Sequence, residues 1–233
     1  SKSPRRYTDF TEEFGTSTNN FPFTVSWARD RRDSAIWTTS GTTHRLFAEI
    51  SVPGGDLNYY KVSYHQKWFY PINDFFTLML NGEAGYGDGY TGKAMPFFKN
   101  FFAGGNTSVR GYDLNTLGPR DDVSNLNPGG GGSFTNTRFF AIGASKRVVG
   151  NVELMFPVPF MKDDRSLRLS LFLDGGTVFN QFSELNTLMR YSAGLAVTWV
   201  SPMGPLKVSI GEPLNDIPAD NLQRFQFMFG QQF

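Results

Sequence analysis

The sequence predicts an all-β protein, an antiparallel transmembrane β-barrel of the outer-membrane type. Apolar and polar residues alternate with period two along much of the 233-residue chain, which is typical of strands with two different faces. The longest apolar run covers about eight residues at 193–200, whereas a membrane helix needs roughly 20. The chain is rich in aromatic residues, with 24 Phe, 9 Tyr and 4 Trp. Some of them lie at predicted strand ends, as in the two aromatic girdles of a membrane barrel: Trp68, Phe69, Tyr70, Phe75, Phe76, Tyr86, Trp199 and Phe233.

The alternation is clearest in SLRLSLFLD and MRYSAGLAVTWV. Leucines occupy every second position of the first segment, with Arg168, Ser170 and Asp174 between them. We expect the apolar face to contact lipid and the polar face to line the lumen. The residues predicted to face lipid include Leu167, Leu169, Leu171, Leu173, Leu195 and Val197. The same reading predicts nine strands, at about 21–28, 43–52, 58–70, 75–86, 147–156, 166–174, 188–200, 205–211 and 222–233.

The connections between these strands alternate in length. Short ones are predicted at 71–74, 161–165 and 201–204, and long ones at 87–146, 175–187 and 211–221. Outer-membrane barrels have short periplasmic turns and longer extracellular loops. A secreted β-sandwich, with its apolar faces inside and similar connections at both ends, is the alternative that the alternation leaves open.

Strand parity predicts how the chain enters the membrane. Bacterial single-chain barrels normally have an even number of strands, whereas about nine are predicted here. We therefore expect this sequence to be the C-terminal part of a larger barrel and to enter that barrel in an extracellular loop. Residues 1–20 form that loop, and residues 21–233 form the barrel region with a long loop at 87–146. TDFTEEFG predicts a short surface helix capped by Thr8 and ended by Gly15.

Composition and motifs argue against several chemistries. A net charge of +1 without a basic stripe disfavours nucleic-acid binding, and the chain has no cysteine. His44 and His65 lack neighbours at metal-ligand spacing, and GEAGYGDG lacks the helix of a dinucleotide-binding unit. The sequence therefore predicts no metal, no cofactor and no catalytic cluster, and we expect that the protein is not an enzyme.

The segment 101–120, FFAGGNTSVRGYDLNTLGPR, is the most unusual part of the long loop. Its phenylalanines need burial, and its glycines favour a tight turn that presents Arg110. The tetrad Val109, Arg110, Gly111 and Tyr112, together with GYGDG, VELMFPVPF, LFLDGGTVF and SPMGPLKVSIGEPL, resembles the BamA family of outer-membrane protein assembly factors. The resemblance covers nearly the whole chain and implies the C-terminal strands of a sixteen-stranded barrel.

The resemblance also implies where this loop lies. In the family it folds back into the barrel lumen, and its arginine pairs with acidic residues on inward strand faces. Glu153 and Asp174 both fall on predicted lumenal faces, so they are the expected partners of Arg110. A guanidinium between two carboxylates is a strong geometric constraint.

The C-terminal RFQFMFGQQF is the second candidate site. Phe225, Phe227, Phe229 and Phe233 alternate toward lipid, like the β-signal of outer-membrane proteins, and Gly230 interrupts the last strand. The resemblance implies a weakly paired seam that opens laterally and accepts substrate strands. We expect the edge of the last strand to be satisfied by another chain, by the strand near 21–27, or by local disorder.

The resemblance implies a central insertase of outer-membrane barrel assembly in the bacterial cell outer membrane. The implied partners are unfolded outer-membrane clients, lipoproteins of the assembly machinery that bind an upstream periplasmic region, and the lipid bilayer. Two-partner secretion and TamA-type transporters share the tetrad and remain an alternative, as does a passive porin.

Overall fold

The computed structural model describes residues 5–121, 140–158, 166–201 and 204–230. The chain forms thirteen strands in that part, together with two α-helices, α1 (Arg5–Phe14) and α2 (Leu185–Leu188). The strands are β1 (Pro22–Asp30), β2 (Gly41–Ser51), β3 (Tyr59–Pro71), β4 (Thr77–Gly89), β5 (Gly111–Tyr112), β6 (Arg120–Asp121), β7 (Phe140–Ala141), β8 (Lys146–Pro157), β9 (Leu167–Phe179), β10 (Arg190–Ser201), β11 (Gly204–Pro213), β12 (Leu222–Gln223) and β13 (Phe225–Phe229). None of the helices described here is long and apolar enough to cross a membrane.

Nine of these strands form one antiparallel sheet, in the order β1-β2-β3-β4-β8-β9-β10-β11-β13. Each strand pairs with the next long strand of the chain, so the sheet is an up-and-down meander. The nine predicted strands and the all-β antiparallel class are confirmed. The sheet is open among the described residues, with β1 at one end and β13 at the other.

The two faces of the sheet differ as the alternation predicts. On β9 and β10, Leu171 and Leu195 are 46% and 58% exposed, whereas Ser170 and Asp174 are 3% and 1% exposed. The apolar side chains therefore form the outer face, and the polar side chains are buried on the inner face, where Arg110 of the long loop contacts Asp174. Exposed rows of apolar residues are stable only against lipid or a partner, which agrees with a membrane barrel.

The strand β9 runs five residues beyond its predicted end at Asp174, through Gly175 and Gly176 to Phe179. The predicted strand ended too early because a pair of glycines is typical of a loop. At Gly176 an added Cβ would lie 2.9 Å from the Val148 carbonyl oxygen and 3.0 Å from the Val109 side chain. Glycine is required there because the long loop approaches the strand so closely.

The predicted last strand is two elements rather than one. Leu222–Gln223 pairs with Gly111–Tyr112 of the long loop, whereas Phe225–Phe229 pairs with β11. The change of partner at Arg224 has no local sequence signal. Phe233 and the predicted turn at 161–165 lie outside the described residues.

The predicted N-terminal helix is present as α1, and it ends where the sequence indicates. Gly15 has φ +83°, and its N–H donates to the Thr11 carbonyl oxygen at 3.0 Å, as a left-handed helix stop does. The expected cap at Thr8 is wrong because the helix already begins at Arg5.

Substitution of Leu171 by Arg tests the lipid-facing assignment. We expect a loss of about 2–4 kcal/mol in folding free energy in a bilayer, because the charge lies near mid-strand on the outer face. Leu167→Arg, on the same face at the strand end, is the matched control and should cost about 0–1 kcal/mol. Equal losses in reversible unfolding from lipid vesicles would contradict the assignment.

Candidate functional site

The described parts of the long loop between β4 and β8 pack on the inner face of the sheet. A 3-10 helix lies at Phe97–Lys99, and Phe101 pairs with Ala144 through reciprocal main-chain hydrogen bonds. Burial of the phenylalanines is only partly as expected, since Phe98 is 50% exposed. A buried apolar cluster joins the loop to the sheet: Phe101, Ala103, Val109, Tyr112, Leu117, Ala144, Val149 and Val178.

A tight turn precedes the tetrad. The Gly105 N–H donates to the Val109 carbonyl oxygen at 3.1 Å, and the Ser108 N–H donates to the Gly105 carbonyl oxygen at 3.1 Å. Ser108 Oγ accepts from the Gly104 N–H at 2.7 Å. Gly104 and Gly105 both have positive φ, so the turn depends on residues that enter the left-handed region without strain.

Arg110 lies between the two carboxylates that the sequence suggests. Its Nε and Nη2 donate to both oxygens of Asp174 at 2.7 Å each, and its Nη1 donates to Glu153 Oε2 at 2.8 Å. Its main-chain N–H also donates to Asp174 Oδ2 at 3.0 Å. All three side chains are at most 5% exposed. A buried guanidinium with this many donors engaged has one available orientation.

Two further residues complete this cluster, and the sequence analysis missed both. Lys207 Nζ lies 2.9 and 3.0 Å from the two oxygens of Glu153, which makes two cations and two carboxylates in contact. The Phe172 ring lies under the guanidinium, with Arg110 Cζ 3.5 Å from its centroid. Phe172 lies two residues before Asp174 and therefore on the same lumenal face, so strand parity was the available signal.

The charge of Arg110 is secured by its partners. Burial alone would lower the pKa of Arg110, but the hydrogen bonds that it donates to Asp174 and the negative charges of Glu153 and Asp174 outweigh burial and raise that pKa. Arg110 is therefore charged when it lies between these two carboxylates.

Gly111 allows the loop backbone to touch the sheet backbone. Its φ is +89°, and an added Cβ would lie 3.0 Å from the Gly211 carbonyl oxygen. Gly211 is the reciprocal partner, because a Cβ there would lie 2.9 Å from the Gly111 nitrogen. Any larger residue at either position would force the loop away from β11.

Tyr112 continues this contact toward the last strand. Its main chain pairs with Leu222, and its carbonyl oxygen accepts from Gln226 Nε2 at 2.6 Å. Its hydroxyl donates to the Tyr191 carbonyl oxygen at 3.2 Å. The tetrad thus contacts β9 through Arg110 and the C-terminal segment through Tyr112.

A second buried ion cluster, also missed by the sequence analysis, binds the loop at Arg120. Asp220 accepts from Arg120 Nη2 at 2.5 Å and from Arg190 Nε at 2.7 Å. Its carboxylate is 1% exposed. These residues come from the loop, β10 and the 214–221 connection, so no local pattern in the sequence joins them.

The residues of the predicted seam lie at the open end of the sheet. Phe225, Phe227 and Phe229 are 60%, 58% and 50% exposed on the outer face. Gly230 follows the last residue of β13 rather than interrupting the strand. It has φ +77°, and an added Cβ would meet no atom within 4 Å.

Substitution of Arg110 by Ala in the full-length protein tests the ion cluster. Removal of one partner leaves buried carboxylates uncompensated, which costs about 3–5 kcal/mol when burial is complete and less in a wet lumen. Limited proteolysis should then cut the loop faster and the melting temperature should fall. Arg224→Ala is the control, because it removes an ion pair with Glu212 that is exposed to solvent and screened by it. A similar effect of both changes would contradict the buried network.

Comparisons with known proteins agree with this architecture. The Omp85 superfamily domain matches residues 1–233. The outer membrane protein assembly factor BamA of Neisseria meningitidis is 39% identical over 100% of this chain and 32% of its own length. BamA of Nitratidesulfovibrio vulgaris is 31% identical over 90% of this chain and 25% of its own.

The fold has a close counterpart among solved structures. A crystal structure of BamA from Haemophilus ducreyi lacking POTRA domains 1-3 matches with a TM-score of 0.80, at 24% identity, over 97% of this chain and 47% of that chain. This chain spans about a third or less of the two BamA sequences. The outer-membrane location expected from the sequence is confirmed. By its full-length domain match, the chain belongs to the Omp85 superfamily.

Proposed function

We propose that this chain is the seam-bearing part of an insertase that folds client β-barrels into the outer membrane. The observation that carries the proposal is the 39% identity of the whole chain to a protein named outer membrane protein assembly factor BamA, and the exposed phenylalanines of β13 mark the strand that would bear the seam. In hydrocarbon each unpaired main-chain group costs several kcal/mol. In the full-length barrel the outer edge of β13 would therefore need a partner strand, and we propose that a client strand can take that place.

Family membership supports the same role. The relatives at 39% and 31% identity are named outer membrane protein assembly factors. We propose that the partners here are unfolded outer-membrane proteins, the bilayer, and lipoproteins that bind a periplasmic region of the full-length protein. The work is noncovalent, so we propose that the protein is not an enzyme in the chemical sense.

The lumenal loop has a mechanical part in this proposal. The Arg110 cluster ties it to β8, β9 and β11, and the Asp220 cluster ties it to β10. These strands would form a rigid wall beside the seam. Strand addition can then take place at β13 while the rest of the barrel keeps its register.

Reconstitution of the full-length protein in liposomes tests the proposal. Client barrels should fold faster than in protein-free liposomes, as measured by the gel shift between folded and unfolded client. Folding at the protein-free rate would contradict an insertase. Client chains that become protease-protected inside the liposome without folding would favour the secretion-transporter alternative.

Gly230→Val tests the role of the seam. The left-handed backbone at this position would cost valine roughly 1–2 kcal/mol. We therefore expect valine to adopt an extended backbone, so that β13 continues past Phe229 and pairs more firmly with the first strand of the full barrel. Client insertion should slow by about five-fold or more. Gly15→Val is the control, since Gly15 has φ +83° with nothing within 4 Å of an added Cβ and lies at the end of α1. A folded Gly230→Val protein with an unchanged rate would place the gate elsewhere.

A further inference from the structure

The outer face of the sheet carries a polar row where contact with lipid favours apolar side chains. Strand pairing places five residues directly opposite one another in this row, across β1, β2, β3, β4 and β8: Arg29, His44, Gln66, Gly82 and Gly150. The rows on either side are mainly apolar or aromatic: Trp27, Leu46, Tyr64, Ala84 and Val148 on one side, and Thr42, Trp68, Leu80 and Val152 on the other. Polar groups that face hydrocarbon are costly and mark functional sites. The polar row is therefore a candidate binding site.

Tyr64 of the adjacent row links His44 to Gln66. Its hydroxyl donates to Gln66 Oε1 at 3.3 Å and lies 2.8 Å from His44 Nδ1. Because the hydroxyl has a single hydrogen, which is directed to Gln66, His44 Nδ1 is the donor in the second contact. The carboxamide oxygen of Gln66 is thus held by Tyr64, and its amide nitrogen is left to donate to a ligand.

Arg29 supplies a cation beside this cluster. Directly opposite residues of an antiparallel pair have Cβ atoms about 4.5–5.5 Å apart, so Arg29 lies against His44. Arg29 is exposed, and no hydrogen bond or ion pair joins its guanidinium to another described residue. The polar row and its two flanking rows contain no acidic residue. The guanidinium fork is therefore directed at the surroundings of the barrel, and its geometry matches the oxygens of a phosphate.

Gly82 and Gly150 continue the polar row as a furrow. Both are exposed, an added Cβ at Gly82 would meet no atom within 4 Å, and one at Gly150 would meet the Asn81 carbonyl oxygen at 4.0 Å. Neither residue has positive φ, and strand pairing runs without a break through both, so neither a turn nor a bulge requires glycine. Glycine within a strand also marks places where a ligand approaches the backbone. The walls of the furrow are apolar: Leu80, Ala84, Val148 and Val152.

The polar end of the row lies at the level of the membrane interface. Arg29 is the last residue but one of β1, and His44 lies about 10 Å along β2 from its first residue. These strand ends are on the same side of the sheet as the short connection 72–76, and short connections are periplasmic in outer-membrane barrels. Trp27 and Trp68 flank the polar end, as aromatic residues do at the headgroup level.

From this end the furrow rises toward the middle of the bilayer. Gly150 lies seven residues before Pro157, the end of β8 on the periplasmic side. At about 3.3 Å per residue, and with the tilt of barrel strands, that separation places Gly150 well inside the hydrocarbon region. The row thus joins a cation and an amide donor at the interface to an apolar furrow in the hydrocarbon, which is the layout of a lipid.

We propose that this row binds a phospholipid of the periplasmic leaflet. Arg29 and the amide nitrogen of Gln66 hold the phosphate, and one acyl chain lies along the furrow over Gly82 and Gly150. The strands β2, β3, β4 and β8 each have both neighbours within this chain. A strand that pairs with the other edge of β1 lies in the plane of the sheet, so it leaves the outer face of the furrow uncovered. This inference goes beyond the proposed function, because it concerns a lipid rather than a client.

Photocrosslinking of the full-length protein in maltoside micelles tests the phosphate site. The probe is phosphatidylglycerol with a diazirine on one acyl chain, and diacylglycerol with the same chain is the matched control ligand without phosphate. We expect phosphatidylglycerol to label residues 80–84 and 148–152 and diacylglycerol to label them much less. Arg29→Ala should lower the labelling by phosphatidylglycerol about ten-fold, the equivalent of one hydrogen bond to a charged group. Arg29→Lys, which keeps the charge, should restore part of it.

Filling of the furrow tests the place of the acyl chain. Gly82→Leu and Gly150→Leu add a side chain where the structure has open space, so the barrel should fold, as shown by its heat-modifiable mobility in gels. Labelling at 80–84 and 148–152 should fall in both variants. Ala193→Leu is the matched control, because it adds the same bulk to the outer face of β10, between the exposed Tyr191 and Leu195. Its labelling should equal that of the wild type.

Each other outcome overturns the proposal. Equal labelling by the two lipids, or of wild type and Arg29→Ala, would show that no phosphate is recognised. Labelling spread evenly over the outer face would show a non-selective layer of lipid, and unchanged labelling in folded Gly82→Leu and Gly150→Leu would show that the glycines serve only the bend of the sheet. Loss of labelling in excess inorganic phosphate would indicate a site for the free ion. These measurements contain no client, so their failure is distinct from failure of the insertase assay.

Discussion

The buried contact of Arg110 with Glu153 and Asp174 is the interaction on which the rest of this structure depends. A long polar loop remains inside a barrel only if its charged and main-chain groups find partners there, because unpaired buried polar groups are costly. Arg110 uses its main-chain N–H and three guanidinium nitrogens on two carboxylates. Lys207 balances the remaining charge of Glu153. The cluster is thereby neutral as a group, which makes its burial tolerable.

The neighbouring glycines follow from that contact. To bring Arg110 to β9, the loop backbone must approach the sheet backbone closely at Gly176 and Gly211, where an added Cβ would come within 3.0 Å of loop or sheet atoms. The loop then pairs with the C-terminal segment through Tyr112 and reaches β13 through Asn106. A single buried cation thus determines where the loop meets the last strand, which is the strand at the open end of the sheet.

Much of the fold could be predicted because strand faces are a local property. Side chains alternate along any strand, so the positions of Leu171, Leu195, Glu153 and Asp174 follow from parity alone. Parity also placed both carboxylates on the side of the sheet that the loop fills. The pairing of Arg110 with them was therefore within reach of sequence reasoning, helped by the resemblance of the tetrad to a known family.

The sequence by itself determined which segments are strands, which faces are apolar, and which loop carries an arginine suited to a pair of carboxylates, because periodicity and residue chemistry act over a few neighbours. Only the tertiary structure decided the partners that meet across long separations: Lys207 on Glu153, Asp220 between Arg120 and Arg190, and Asn106 on Phe227. It also decided that the last strand changes partner at Arg224 and that Gly175–Gly176 belongs to a strand. These outcomes depend on strand register and on the path of the loop, and both are set by packing between residues that are far apart in the chain.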